Sequence, residues 1–270
     1  MSAKRIFSLS YLTYAPLRAP DAVTLAAELC SEAIGVRMLP ASPGGPFDDL
    51  AGDAALLRET LKRMRETGVR VFDIEVVRIG ETFDAEGYGA FLDTCAALGA
   101  SAILVICDDR DEARRTANFA AFCAQADPFG LTCDIEFMPW TAVRSGREAR
   151  RAAEASGAAN ARVLVDVLHA ARSRTTIEDI RALPRGLISY AQVCDAPAEI
   201  PKDIEGLLHT ARKARLLPGD GGIDIAGYFA AMPRDIPVSI ELPNDERKAQ
   251  HGVKEWARLS LEKSKAVLRV

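Results

Sequence analysis

At 270 residues, 49% hydrophobic and 27% charged, the chain carries enough apolar material for one large core, since a closed α/β barrel needs about 250 residues. Lys and Arg number 34 against 38 Asp and Glu; the net charge is −4 and the basic residues are scattered, which argues against nucleic acid as a partner. No run of about 18 apolar residues exists to span a bilayer, so a membrane is excluded on the same reading.

The six cysteines stand far apart without a CxxC pair and read as small buried hydrophobes in a reducing compartment, with the cytoplasm as the expected location. Lys4 and Arg5 precede only Ile6 to Leu9 before polar turns, far short of a signal-peptide core. Ile6 to Leu9 is instead a first strand, followed by a helix from about Asp21 to Ser31 with Val23, Ala26, Ala27 and Cys30 on one face. Ala33 to Leu39 is the second strand, Pro40 to Phe47 a loop by its turn residues, and Asp53 to Glu66 a helix stopped at Gly68. Val69 to Val77 is the third strand and delivers Glu75 and Arg78 to its C-terminal end. A helix over Asp84 to Leu98 leads to the fourth strand, Ala102 to Cys107. The aspartates that follow, Asp108, Asp109 and Asp111, suit the start of a helix running to Ala126.

Leu131 to Phe137 is the fifth strand, with Glu136 near its end, and Gly146 to Ser156 is helical. Val163 to Val167 is a short, β-branched, fully apolar run apart from Asp166, and it leads to His169. Taken alone, Asp166 reads equally well as a helix cap. Thr176 to Leu183 is a short helix, Leu187 to Val193 the seventh strand with Gln192 near its end, and Asp203 to Leu216 a helix. Pro218 to Gly222 forms a tight loop before a short helix at Ile223 to Ala231. Pro237 to Glu241 is the eighth strand. A closing helix from Val253 to Val267 presents Val253, Trp256, Ala257 and Leu261 on one stripe, which either packs on the body or pairs two copies as a homodimer.

Eight strands alternating with helices through short loops predict a parallel sheet closed as a single (β/α)8 barrel over residues 1–270. No GxGxxG or GxxxxGK[ST] follows the first strand, so the nucleotide-cradling turns are missing. In such a barrel the strand ends converge, and the last four end in Glu136, Asp166, Gln192 and Glu241. Three carboxylates aimed at one dry pocket repel one another unless a cation lies between them. Three carboxylates and an amide are hard oxygen donors, so Mn²⁺ or Mg²⁺ is expected rather than zinc.

Several stretches together resemble the xylose-isomerase-like TIM barrels of sugar isomerases, epimerases and dehydratases: Ile135-Glu136, Leu164-Val165-Asp166 with His169, Tyr190 to Pro197, Leu217 to Gly221, and Ser239 to Glu241. Many members carry His where Gln192 stands; the glutamine, the segment after it and the Pro-Gly loop are similar to bacterial 3-dehydroshikimate dehydratases. The resemblance implies a metal held by Glu136, Asp166, Gln192 and Glu241, His169 beside the substrate, and Arg78 as a substrate-binding arginine. His169 is also the expected base, because imidazole titrates near neutral pH; Glu75 is an outside alternative that reads rather as a solvated strand-end carboxylate. Arg37 and Arg78 could each grip a substrate carboxylate or phosphate, or simply form salt bridges.

The expected activity is proton abstraction next to the carbonyl of a small polyhydroxylated keto compound. Dehydration of a 3-dehydroshikimate-like acid is the leading form and keto-sugar isomerisation or epimerisation the alternative. A related endonuclease barrel would want more histidines than His169, His209 and His251, and a basic groove. A catalytically silent ligand-binding barrel would leave the carboxylate cluster destabilising.

Overall fold

The computed structural model describes residues 5–269; of the two N-terminal basic residues, Lys4 lies outside them. Eight parallel strands close in sequence order, with β8 pairing back onto β1 through Ser8 and Ser239. They are β1 (Phe7–Leu9), β2 (Ala33–Arg37), β3 (Arg70–Ile79), β4 (Ala102–Cys107), β5 (Thr132–Glu136), β6 (Ala161–Asp166), β7 (Ile188–Val193) and β8 (Val238–Ile240). This is the predicted (β/α)8 barrel, and all eight predicted strands are present to within a few residues at either end.

The apolar runs form strands buried on both sides because alternate side chains serve two cores. Leu9, Ile34, Val36, Ile74, Ile103, Val105, Ile135, Val163, Val193 and Ile240 pack outward beneath the helices. A smaller cluster of Val76, Leu104, Ile106, Met138, Leu164 and Tyr190 forms a separate apolar patch. Period-two alternation turns Ser8, Asp134 and Ser239 to the opposite side from their apolar neighbours, so part of the barrel interior is polar. Two irregularities in the pairing of β3 let consecutive residues change face on the way to Glu75 and Arg78.

The helices start where the sequence offers a cap. Asp53 accepts from Ala55 and Leu56 N–H ahead of α3 (Ala54–Thr67), whose end is closed by Gly68 in a left-handed conformation at φ 76°. Asp111 caps α5 (Glu112–Ala126), Ser145 caps α6 (Gly146–Ala155), and Thr176 with Asp179 makes a reciprocal capping box for α8 (Ile177–Arg181). The remaining helices are α1 (Tyr11–Tyr14), α2 (Ala19–Glu28), α4 (Gly89–Ala97), α7 (Val167–Arg172), α9 (Ile204–Lys213), α10 (Ile225–Ala231), α11 (Asp245–His251) and α12 (Val253–Val267).

Several boundaries differ from the sequence reading for identifiable reasons. The predicted Asp84–Leu98 helix opens with a 3₁₀ turn at Ala85–Tyr88, around Gly87 and Gly89. Val167, expected in the sixth strand, instead begins α7 because Asp166 caps it, accepting from Leu168 N–H at 2.7 Å. The helix expected to reach Leu216 stops at Lys213, and the chain then pairs with Asn244 and Asp195. Helices α1 and α11 show no apolar periodicity: one is four residues long and the other has no buried residue, although Asn244 caps it. The first is held by tertiary bonds, Thr13 Oγ1 donating to Ile240 O at 2.6 Å and Tyr14 Oη to Gly35 O at 2.7 Å.

Five of the cysteines are buried and all six are free, but Cys30 is exposed, a correction to the uniformly buried reading. In α12, Trp256, Ala257 and Leu261 are buried, with the Trp256 indole donating to Leu242 O at 2.9 Å, so most of that stripe is used within the chain. The Pro218–Gly222 loop is a turn, and it clamps Asp195. That carboxylate accepts from the N–H groups of Gly219, Gly221 and Ile223 at 2.9 to 3.1 Å. Gly221 leaves no room for a Cβ, which would collide with Ala196 O and the Asp195 side chain.

Candidate metal and substrate site

At the C-terminal ends of the strands lies a cavity of about 370 Å³ lined by Glu136, Glu241, His169 and Arg215 on one side and Arg37, Glu75 and Arg78 on the other. Val76, Leu104, Ile106, Met138 and Trp140 give it an apolar wall. Asp166 and Gln192 do not line it but are fully buried, held side by side in the β6–β7 register.

One ligand atom each from Glu136, Asp166 and His169 lie within 4.8 Å of one another. His169 Nε2 stands 3.6 Å from both Glu136 Oε1 and Asp166 Oδ2, and the edge of Trp140 meets its ring at a centroid distance of 5.2 Å. Asp166 serves two purposes: one oxygen caps α7 while the other faces the cluster, so its capping and site readings are both true. Glu241 follows β8 directly, with its N–H donating to Val193 O at 3.2 Å.

Arg215, which sequence reasoning passed over, joins these groups. Its guanidinium is buried, donating from Nη1 to Asp166 Oδ2 at 2.7 Å and from Nη2 to Glu241 Oε1 at 3.2 Å. It is aimed there because the chain after α9 runs extended, with Arg215 N–H donating to Pro243 O and Asn244 Nδ2 donating to Arg215 O. The cation that three converging carboxylates require is thus supplied in part by the protein itself. The only advance signal was a basic residue between a helix and the Leu216-Leu217-Pro218-Gly219 turn, and no periodicity marks it.

Burial sets the electrostatics. It pushes the Glu136 carboxyl well above the ordinary range, and Glu241 and Asp166 add to the rise. Glu241 is pushed up to about 8 by burial, with Arg215 opposing. Burial acts the same way on Asp166, yet the charge of Arg215 and its hydrogen bond hold it below the usual value. Burial lowers the His169 imidazole to about 4, against the pull of Asp166, so the ring is neutral at pH 7.

The residues expected on the substrate side are present in the cavity but already partnered. Arg37 Nη2 donates to Glu75 Oε2 at 2.7 Å and its guanidinium lies over the Tyr11 ring at 4.6 Å. Glu75 is therefore not solvated, as its strand-end position suggested, but buried, accepting from Ser10 Oγ as well. Arg78 Nη1 donates to Asp108 Oδ2 at 2.6 Å and is half-exposed at the rim.

Residues 23–262 match the family model of the xylose isomerase-like TIM barrel. The chain belongs to that family. Among curated proteins it is 29% identical over 208 residues to the 3-dehydroshikimate dehydratase of Pseudomonas aeruginosa, covering 76% of this chain but 29% of that protein's length. Among solved structures it superposes on the IolI protein, determined with a bound zinc atom, with a TM-score of 0.78 at 14% identity, covering 97% of this chain and 98% of the other. It also superposes on the probable 3-DHS dehydratase AsbF of Bacillus anthracis, with a TM-score of 0.74 at 14% identity over 95% and 97% of the two chains.

Within this xylose isomerase-like barrel the donor set fits a divalent cation. Among the described residues both amide atoms of Gln192 and the Glu241 Oε2 atom are buried without a hydrogen-bond partner, whereas the ligand atoms that cluster closely are those of Glu136, Asp166 and His169, without Glu241. Among the described residues no helix is long and apolar enough to cross a membrane.

Proposed function

We propose that this barrel is a metal-dependent lyase that dehydrates a small cyclic keto acid of the 3-dehydroshikimate type. The observation that carries the reading is the set of buried oxygen donors, unpartnered among the described residues at Gln192 and Glu241, beside a neutral histidine that lines the strand-end cavity. The match to the Pseudomonas aeruginosa dehydratase supports the substrate class.

Glu136, Asp166, Gln192 and Glu241 would hold the cation; four oxygen donors favour Mn²⁺ or Mg²⁺, and His169 as a fifth group would admit zinc. The chemistry a divalent ion supplies in such a site is polarisation of a substrate carbonyl. His169 would take the proton from the carbon next to the carbonyl and return it to the hydroxyl on the next carbon, whose C–O bond breaks as the C=C bond forms, so that it departs as water. Arg215 donates to both carboxylates, holding Asp166 ionised and opposing the rise that burial imposes on Glu241. Arg37 and Arg78 line the opposite side, where a substrate carboxylate can share them with Glu75 and Asp108. Met138, Trp140 and Ile106 exclude water and cover the apolar face of a ring.

The test is to strip the protein with chelator, restore Mn²⁺, Mg²⁺ or Zn²⁺ separately, and follow formation of the aromatic dehydration product from 3-dehydroshikimate by ultraviolet absorbance. Wild type should recover turnover with at least one ion, while Glu241→Gln and His169→Ala lose it by 10²-fold or more. No turnover by the metal-restored wild type would remove the substrate assignment. Full activity of His169→Ala would remove the base.

A further inference from the structure

A second cavity, of about 400 Å³, opens between α5 and α6 on the other side of the loop that follows β5. Arg110, Arg115, Arg144 and Arg151 converge on it, against only two carboxylates, Glu112 and Glu148. Arginines elsewhere, such as Arg63, Arg78, Arg114, Arg147, Arg150 and Arg258, each stand within 4.0 Å of a carboxylate. Among the described residues none of the four cavity arginines does. Two of them are fixed without being neutralised. Arg115 Nη1 donates to the backbone oxygen of Asp109 at 2.6 Å, and its buried Nε has no partner among the described residues. Arg144 Nε donates to Thr141 O at 3.3 Å. Glu148 is turned away in part, its Oε2 accepting from the Arg144 backbone N–H at 2.7 Å.

The cleft thus carries an excess of positive charge in a chain whose net charge is −4, and guanidinia that repel one another are held together in a concavity. Both α5 and α6 begin beside it, with Glu112 and Arg115 in the first turn of one and Glu148 in the first turn of the other, so two helix dipoles add to the field. A fixed guanidinium fork with an unused buried donor is built to bind oxyanions bidentately. We propose that this cleft is a binding site for a small ligand carrying two or more negative charges, either a phosphorylated or a polycarboxylate metabolite, separate from the catalytic cavity.

The loop between them ties the two sites. Ala142, Val143 and Arg144 face the arginine cleft, whereas Met138 and Trp140 line the catalytic cavity and Trp140 touches His169. The loop is compact: Met138 N–H donates to Val143 O at 3.1 Å and Thr141 Oγ1 bridges Met138 O and Val143 O. An anion gripping Arg144 shifts the environment of Trp140.

The experiment titrates metal-free wild type at constant ionic strength with inorganic pyrophosphate, citrate and, as a monovalent control, chloride, by calorimetry and tryptophan fluorescence. Wild type binds pyrophosphate or citrate saturably; which of the two binds tighter distinguishes phosphoryl from carboxylate ligands. The exposed pair Arg110→Gln/Arg151→Gln keeps the wild-type circular dichroism and melting curve but binds at least tenfold more weakly, and Arg115→Gln does the same if it folds. The fluorescence change disappears in Trp140→Phe. Absence of saturable binding overturns the proposal. So does binding that survives in the double variant yet is lost in Arg37→Gln/Arg78→Gln, which would place the anion in the catalytic cavity. Because no substrate or metal is used, the outcome is independent of the proposed dehydratase activity.

Discussion

Two buried acidic regions share the inside of this barrel, and they are handled in opposite ways. At the strand ends, Asp166 and Glu241 are tied to the buried guanidinium of Arg215, and Asp166 remains below the ordinary carboxylate range despite complete burial. On β3, Asp73 is just as buried but no arginine, lysine or histidine pairs with it among the described residues, and burial first, then Glu75 and Glu241, pushes its carboxyl well up. Gly35 opposite makes the space for it, since a Cβ there would sit 2.6 Å from Asp73 Oδ2. Burial raises the carboxyls of both regions; the fixed guanidinium of Arg215 overcomes that rise at Asp166 and only opposes it at Glu241.

The comparison breaks most visibly at Arg215. Arg215→Met leaves two buried carboxylates uncompensated and is expected to destabilise by about 3–5 kcal/mol, seen as a fall of about 10 °C in melting temperature. If a divalent ion can take over part of that compensation, saturating Mn²⁺ recovers more stability in Arg215→Met than it adds to wild type.

Asp73→Asn tests the other half. The folded carboxyl holds its proton to a higher pH than the unfolded one, so its favourable contribution is complete below the ordinary carboxylate range and is lost as pH rises. The amide variant is therefore expected to melt a few degrees above wild type at pH 8, with the gap closing towards pH 4. A gap that widens on acidification would mean that Asp73 is ionised in the native state.

The smallest effect belongs to the backbone that carries Glu241. Thr13 Oγ1 donates to Ile240 O and accepts from Leu242 N–H at 2.8 Å, bracketing Glu241 on both sides. Thr13→Val leaves that N–H unsatisfied and should cost about 1–2 kcal/mol in chemical denaturation, with weaker metal binding if the bracket positions the carboxylate.

Much of this protein was determined by local sequence. The apolar runs ending in Glu136, Asp166 and Gln192 had to become buried parallel strands, since period-two burial and the intervening amphipathic helices leave few other packings, and barrel closure then brings their ends together. The helix starts at Asp53, Asp111 and Asp166 were readable because a side-chain oxygen two or three residues ahead of free N–H groups is a local device. Only the tertiary structure decided what pairs with what. Arg215 meets Asp166 across 49 residues and Glu241 across 26, Arg37 meets Glu75 across 38, and Trp140 reaches His169 from a neighbouring loop. Charge pairing over such separations leaves no periodic trace in the chain, because it depends on where barrel closure sets each strand end and not on the residues beside it.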